Sequence, residues 1–112
     1  MTTPTAAWLE IGAPDATRTR DFLAQLFGWR FEAVGGGHTT ADSGVGIGLH
    51  GDDTDRNIVV YFGVDDIAAA VQKVRALGGT APDPGPEDPR FGRFTECKDA
   101  DGVRFGLHQR PR

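Results

Sequence analysis

The chain has 112 residues, 38% of them hydrophobic, and a formal net charge of −4. That length suits one domain and is too short for two independent cores. The mild acidity is spread along the chain and argues against a nucleic-acid or anionic-membrane surface, which needs clustered Lys and Arg, and the lone cysteine, Cys97, allows no intramolecular disulfide and fits a reducing compartment.

Residues 1–7 show neither the basic start nor the apolar stretch of a signal peptide, and the apolar runs are too short to span a bilayer, so a cytoplasmic protein is expected. Trp8 to Ala13 alternates as a strand does. Pro14-Asp15 starts a helix with Asp15 as N-cap, an apolar stripe of Phe22, Leu23, Leu26 and Phe27, and Gly28 as terminator. Trp29 to Val34, His38 to Ala41 and Val45 to His50 read as strands, separated by turns at 35–37 and 42–44. Residues 51–56 are polar and read as a connector.

The same plan then recurs. Ile58 to Val64 is a strand rich in β-branched and aromatic residues. Asp65-Asp66 caps a helix with the stripe Ile67, Ala70, Val71, Val74 and Leu77, which ends at Gly78-Gly79. Thr80-Ala81 begins a short strand, and the four prolines of residues 82–89 impose an irregular loop. Arg90 to Lys98 and Val103 to Gln109 are the last strands, joined by the turn Asp99-Ala100-Asp101-Gly102.

The recurrence is an internal repeat. A shift of 51 residues lays Gly12 on Gly63, Asp15 on Asp66, Leu23 on Val74, Leu26 on Leu77 and Gly28 on Gly79. Toward the end of each half the shift is 58, and residues 44–50 lie over 102–108 with five of seven positions identical. Each half therefore reads strand-helix-strand-strand-strand. One such half leaves a sheet face uncovered, so two are expected to pair.

These residues resemble the glyoxalase / bleomycin-resistance / dioxygenase family, the vicinal oxygen chelate proteins. The carriers are Glu10 to Asp15, Phe22 to Trp29, Val64 to Ile67, Ala76 to Gly79, and Asp99 to Gly102 with the strand that follows. The resemblance implies an α+β fold of two paired βαβββ modules forming a half-open barrel around a cavity, often as a homodimer. On this reading residues 1–112 are a single domain, with modules at 7–50 and 57–109.

Metal-using members of the family carry His in each module's first strand and Glu near the end of the last. Here those positions fall on Trp8, Val59, Gly48 and Gly106. None offers an O, N or S donor to a divalent cation, so no metal and no cofactor is expected at the usual place.

Strand alternation gives the faces. If the former ligand positions point inward, so do Glu10, Gly12, Gly46, His50, Tyr61, Gly63, Arg104 and His108. The other face, Leu9, Ile11, Val45, Ile47, Leu49, Ile58, Val60, Phe62, Val103, Phe105 and Leu107, should pack under the helices. The inward mixture of aromatics, glycines and a few polar groups has the composition of a ligand pocket.

The preferred reading is a metal-independent small-molecule-binding protein that takes a partly aromatic ligand in the barrel cavity. Trp8, Glu10, Trp29, Gly48, His50, Val59, Tyr61, Arg104, Gly106 and His108 are its candidate lining. The alternative is an enzyme of the lyase, isomerase or dioxygenase type. It would use Glu10 as a metal-free acid–base group beside Trp8, or a relocated metal held by Glu10, His50 and His108. Structural roles stay open for each residue: Trp8 and Tyr61 as barrel filling, Glu10 as a partner of Arg104, the two His as exposed strand tips, Cys97 as an inert thiol.

Overall fold

A computed structural model describes residues 3–112. The chain folds as two compact units, one of residues Trp8–Val59 and one of Val60–Arg112 together with the N-terminal residues through Ala7.

In the first unit, β1 (Ala6–Gly12) leads into α1 (Ala16–Phe27), followed by β2 (Glu32–Val34), β3 (Gly37–Thr40) and β4 (Gly46–His50), with strand order β2-β3-β4-β1. β4 lies parallel to β1, with Trp8 opposite Gly46, Glu10 opposite Gly48, and Gly12 opposite His50. The carboxylate of Asp15 accepts the Arg18 N–H at 3.1 Å and starts α1, and Gly28 ends it at φ +74°. Trp29, Arg30 and Phe31 are not strand. Asp42 accepts the Arg30 N–H at 2.8 Å, a bond that holds the Asp42 carboxyl below its ordinary pKa.

The core of this unit is Ile11, Ala13, Ile47 and Leu49, with Leu9, Ala16, Leu23, Trp29 and Phe31 packed against it. The expected helix stripe is one step out of place. The residues that turn toward the sheet are Ala16, Thr19, Arg20, Leu23 and Ala24, spaced i, i+3, i+4, i+7, i+8. Leu23 is the one large apolar side chain among them. Phe22 and Leu26, expected to be buried, are 66% and 59% exposed, and Phe27 lies open as well.

In the second unit, β5 (Asn57–Gly63) leads into α2 (Ile67–Ala76), then β6 (Arg93–Lys98) and β7 (Arg104–Gln109), in the order β5-β7-β6. β5 and β7 are parallel, with Tyr61 opposite Gly106 and Gly63 opposite His108. Asp66 caps α2 by accepting the Ala69 N–H at 3.0 Å. Ile67 and Val71 are fully buried and pack with Ala81, Cys97 and Leu107. Leu77 falls past the end of the helix and is 71% exposed, Ile58 and Phe62 on β5 are also open, and Val103 lies exposed before β7, so all four miss their expected burial. The strand expected from Thr80 is reduced to a single bridge, Thr80 to Lys98. Pro82 follows, and proline cannot donate to a ladder. Burial raises the pKa of the Cys97 thiol, which keeps it protonated and unreactive.

Candidate functional site

The site is built on the face of the β1–β4 pair opposite α1. Alternation along β1 places Leu9 and Ile11 in the core and Trp8 and Glu10 on the other side. The Trp8 indole lies across the two glycines of β4. A Cβ at Gly46 would collide with its six-membered ring, and one at Gly48 would meet its Cζ2 at 2.9 Å. The same Cβ at Gly48 would run into Glu10 Oε1. The glycines of β4 therefore make room for Trp8 and Glu10, and flat aromatic surface takes the place of side chains there.

Glu10 is held at both carboxylate oxygens. Trp8 Nε1–H donates to Oε1 at 3.0 Å, and His50 Nδ1 lies 2.7 Å from Oε2. The other ring nitrogen of His50, Nε2, is 2.8 Å from Asp53 Oδ2. Ionised carboxylates only accept, so both contacts are hydrogen bonds when His50 is the imidazolium, the form that the two carboxylates favour. Its pKa is raised, first by the hydrogen bond to Glu10; partial burial opposes this, and the bond to Asp53 adds to it. The three side chains are between about a quarter and a half exposed, so the chain Glu10–His50–Asp53 is fixed in place and open to solvent.

Asp53 was not a candidate from sequence, because 51–56 read as a connector. The connector in fact folds back on the end of β1. Ala13 N–H donates to the His50 carbonyl, Asp52 N–H to that of Pro14, and Asp53 N–H to that of Ala13, each at 3.1 Å. Asp52 takes φ +56°, a left-handed turn that Asp tolerates, and this brings Asp53 back onto His50 three residues earlier. Gly12 is the third partner, since a Cβ there would collide with the Asp53 carboxylate.

The remaining candidates fall elsewhere. Trp29 is part of the core under α1, on the sheet face away from Glu10, with its ring 4.6 Å from that of Phe27. Val59 is buried. In the second unit Tyr61 is buried with its ring over Gly106, where a Cβ would collide with the ring, and it meets Phe94 edge-on at 5.8 Å. His108 is not an exposed tip. It is 8% exposed, stacks on Phe94 at 4.6 Å and places Nε2 2.7 Å from the Phe91 carbonyl oxygen. Arg104 forks onto Glu96 with two contacts of 3.0 Å, and the partner of Glu10 is His50.

A metal at the usual family position does not fit these residues. Trp8 and Val59 supply no donor, Glu10 fills the space over Gly48, and the Tyr61 ring fills the space over Gly106. Both nitrogens of His50 are engaged by carboxylates and Nε2 of His108 by a carbonyl, so the relocated set of Glu10, His50 and His108 is not assembled for coordination either.

A family model described as a glyoxalase-like domain matches residues 8–108. The anthracycline biosynthesis proteins DnrV of Streptomyces peucetius and DauV of Streptomyces sp. (strain C5) are each 27% identical over 124 aligned residues, covering 90% of this chain. The chain spans 45% of the length of these relatives. Among solved structures, a hypothetical protein from Bacillus halodurans C-125 superposes with a TM-score of 0.72 at 13% identity, covering 99% of this chain and 97% of that one. A Streptomyces coelicolor methylmalonyl-CoA epimerase in complex with 2-nitronate-propionyl-CoA gives 0.67 at 17% identity, with 99% and 100% covered. At such identities the solved structures speak to the fold alone, which is the α+β fold of the vicinal oxygen chelate superfamily.

Proposed function

We propose, for a chain that belongs to the glyoxalase-like domain family, that it binds a small, partly aromatic molecule on the Trp8–Glu10 face without a metal. The observation that carries this reading is the half-buried Trp8 indole laid flat over Gly46 and Gly48 beside an oriented carboxylate. A planar ligand would stack on the indole, worth about 0.5–1.5 kcal/mol beyond the area it buries. Glu10 and the His50 imidazolium would set which polar edge is accepted. The relatives named for anthracycline biosynthesis support an aromatic ligand, since anthracyclines carry fused planar rings. Tyr61, Gly106 and His108 are less suited to contact it than Trp8, Glu10, Gly48 and His50, because they are buried in the second unit.

Fluorescence titration tests the proposal. Planar hydroxyanthraquinones should quench the protein saturably, and Trp8→Phe should remove the response while the core residue Trp29 keeps its own emission. Absence of saturable quenching across such a set, or an unchanged response in Trp8→Phe, overturns it.

The Glu10–His50–Asp53 chain favours a second reading, an enzyme of the same superfamily. Glu10 would accept a proton from the bound molecule, and the His50 imidazolium would donate one. Product formed by the wild type and abolished in Glu10→Gln, with quenching retained, would establish catalysis over binding alone.

We also propose that the chain works as a cytoplasmic homodimer, with duplicated modules at residues 7–50 and 57–109. The exposed Phe22, Leu26 and Phe27 of α1 give a second copy an apolar surface to cover. Among the described residues no helix is long and apolar enough to cross a membrane. Light scattering should give twice the chain mass at micromolar concentration; a monomer mass independent of concentration refutes the dimer.

A further inference from the structure

We infer that a separate cleft in the second unit, at the Gly63 and Gln109 ends of β5 and β7, is a site for a small oxyanion, a carboxylate or a phosphate group. The inference does not rest on the Trp8–Glu10 reading. The cleft holds about 380 Å³ and is lined by Thr5, Asp65, Gln109, Arg110 and Arg112 among others. The Thr5 carbonyl accepts the Gly63 N–H at 2.9 Å, which pins the N-terminal segment along one wall.

Gln109 points to the ligand. It is 5% exposed, and its Oε1 accepts the N–H of Ile67, the first residue of α2, at 2.9 Å. That bond fixes the amide orientation, because only the oxygen can accept. The Nε2 donors are left on the cleft side with no partner among the described residues. The oriented amide therefore offers its N–H groups to the open cleft, where an acceptor can take the place of water.

The charges decide which acceptor. Arg110 and Arg112 present guanidinium forks suited to carboxylate and phosphate oxygens. Asp65 is the opposing carboxylate on the wall, and His108 is the other titratable lining group. Among the lining side chains, two guanidiniums stand against one carboxylate, a net positive balance. A neutral acceptor would use the amide and waste both cations. A multiply charged chain would meet Asp65. A compact oxyanion uses all three donors.

The test is a titration of the 112-residue chain at low ionic strength, since exposed guanidinium contacts are screened within about 10 Å at 0.1 M salt. Inorganic phosphate is the probe in one arm and acetate in the other, read by the backbone amide shifts of Gly63, Val64 and Gln109. Saturable shifts centred on those amides are expected, and the probe that saturates at lower concentration identifies the group as phosphate or carboxylate. Gln109→Glu keeps an acceptor for Ile67 N–H but puts a negative charge where the amide donated, and should abolish saturation with the fold intact. Replacing Arg110 and Arg112 together by Ala should weaken binding by roughly tenfold or more. Failure of both probes to saturate overturns the inference, as does binding that survives Gln109→Glu. Should Gln109→Glu fail to fold, the double arginine variant decides, and an unchanged affinity there overturns it.

Discussion

Glu10 and Tyr61 hold the same place in the two halves of the chain. Each sits on the first strand of its half, and each lies opposite a glycine on the parallel last strand, Gly48 in one and Gly106 in the other. His50 and His108 match in the same way, opposite Gly12 and Gly63. The contents differ. In the first unit the glycine makes room for a carboxylate and an indole, and the histidine is part-exposed between two acids. In the second unit the glycine makes room for a buried phenol ring, and the histidine is stacked and buried on Phe94. One backbone plan was used twice, once to hold a polar group open to solvent and once to close a core. Function is therefore to be sought at the matched positions of the first unit before those of the second.

The largest effects should fall where the halves are alike. Ile47 and Ile67 are fully buried, one in each core. Ile47→Ala and Ile67→Ala should each cost about 2–5 kcal/mol in urea unfolding. A value below about 1 kcal/mol for either would mean that its half has no core of its own. The next effect should separate them. Gly106→Ala drives a methyl into the buried Tyr61 ring and should cost about 1–3 kcal/mol. Gly48→Ala meets the end of the flexible Glu10 side chain first, so it should cost less stability but disturb the Trp8–Glu10–His50 contacts. Equal losses from the two substitutions would break the distinction between a packed and an open position.

The paired architecture was legible in the sequence because repetition, alternation and cap residues are all local signals. Asp15, Gly28 and Asp66 take the roles their types suggest. The faces of β1 and β4 followed from period two. Burial of the helix residues did not follow, because apolar content marks a stripe but not which edge of it meets the sheet. Leu23 turns in while Phe22 and Leu26 turn out. Whether the β4 and β7 glycines left empty space was equally hidden, since it depends on how the rings of Trp8 and Tyr61 lie. Asp53 escaped notice because its meeting with His50 needs the left-handed turn at Asp52, and Asp carries no strong signal for that conformation.

The smallest effect is the most specific to the first unit. The folded pKa of His50 is raised, so its contribution to stability is fully present below the ordinary value of about 6.5 and is lost as pH rises through the folded value. The side chain is 46% exposed, so solvent screening holds the contribution below about 1 kcal/mol. Urea unfolding of the wild type should therefore weaken as pH rises from the ordinary imidazole value of about 6.5 through the raised folded value, relative to His50→Gln, which keeps a neutral donor but no titrating charge. An NMR titration of the imidazole should place its midpoint above the ordinary value, and Asp53→Asn should bring it back part of the way, because Glu10 is the larger cause of the shift. A wild type whose pH dependence matches that of His50→Gln would show that the contacts with Glu10 and Asp53 do not favour the charged imidazole in solution. The first unit would then hold its polar groups as packing alone, much as the second buries His108 against Phe94.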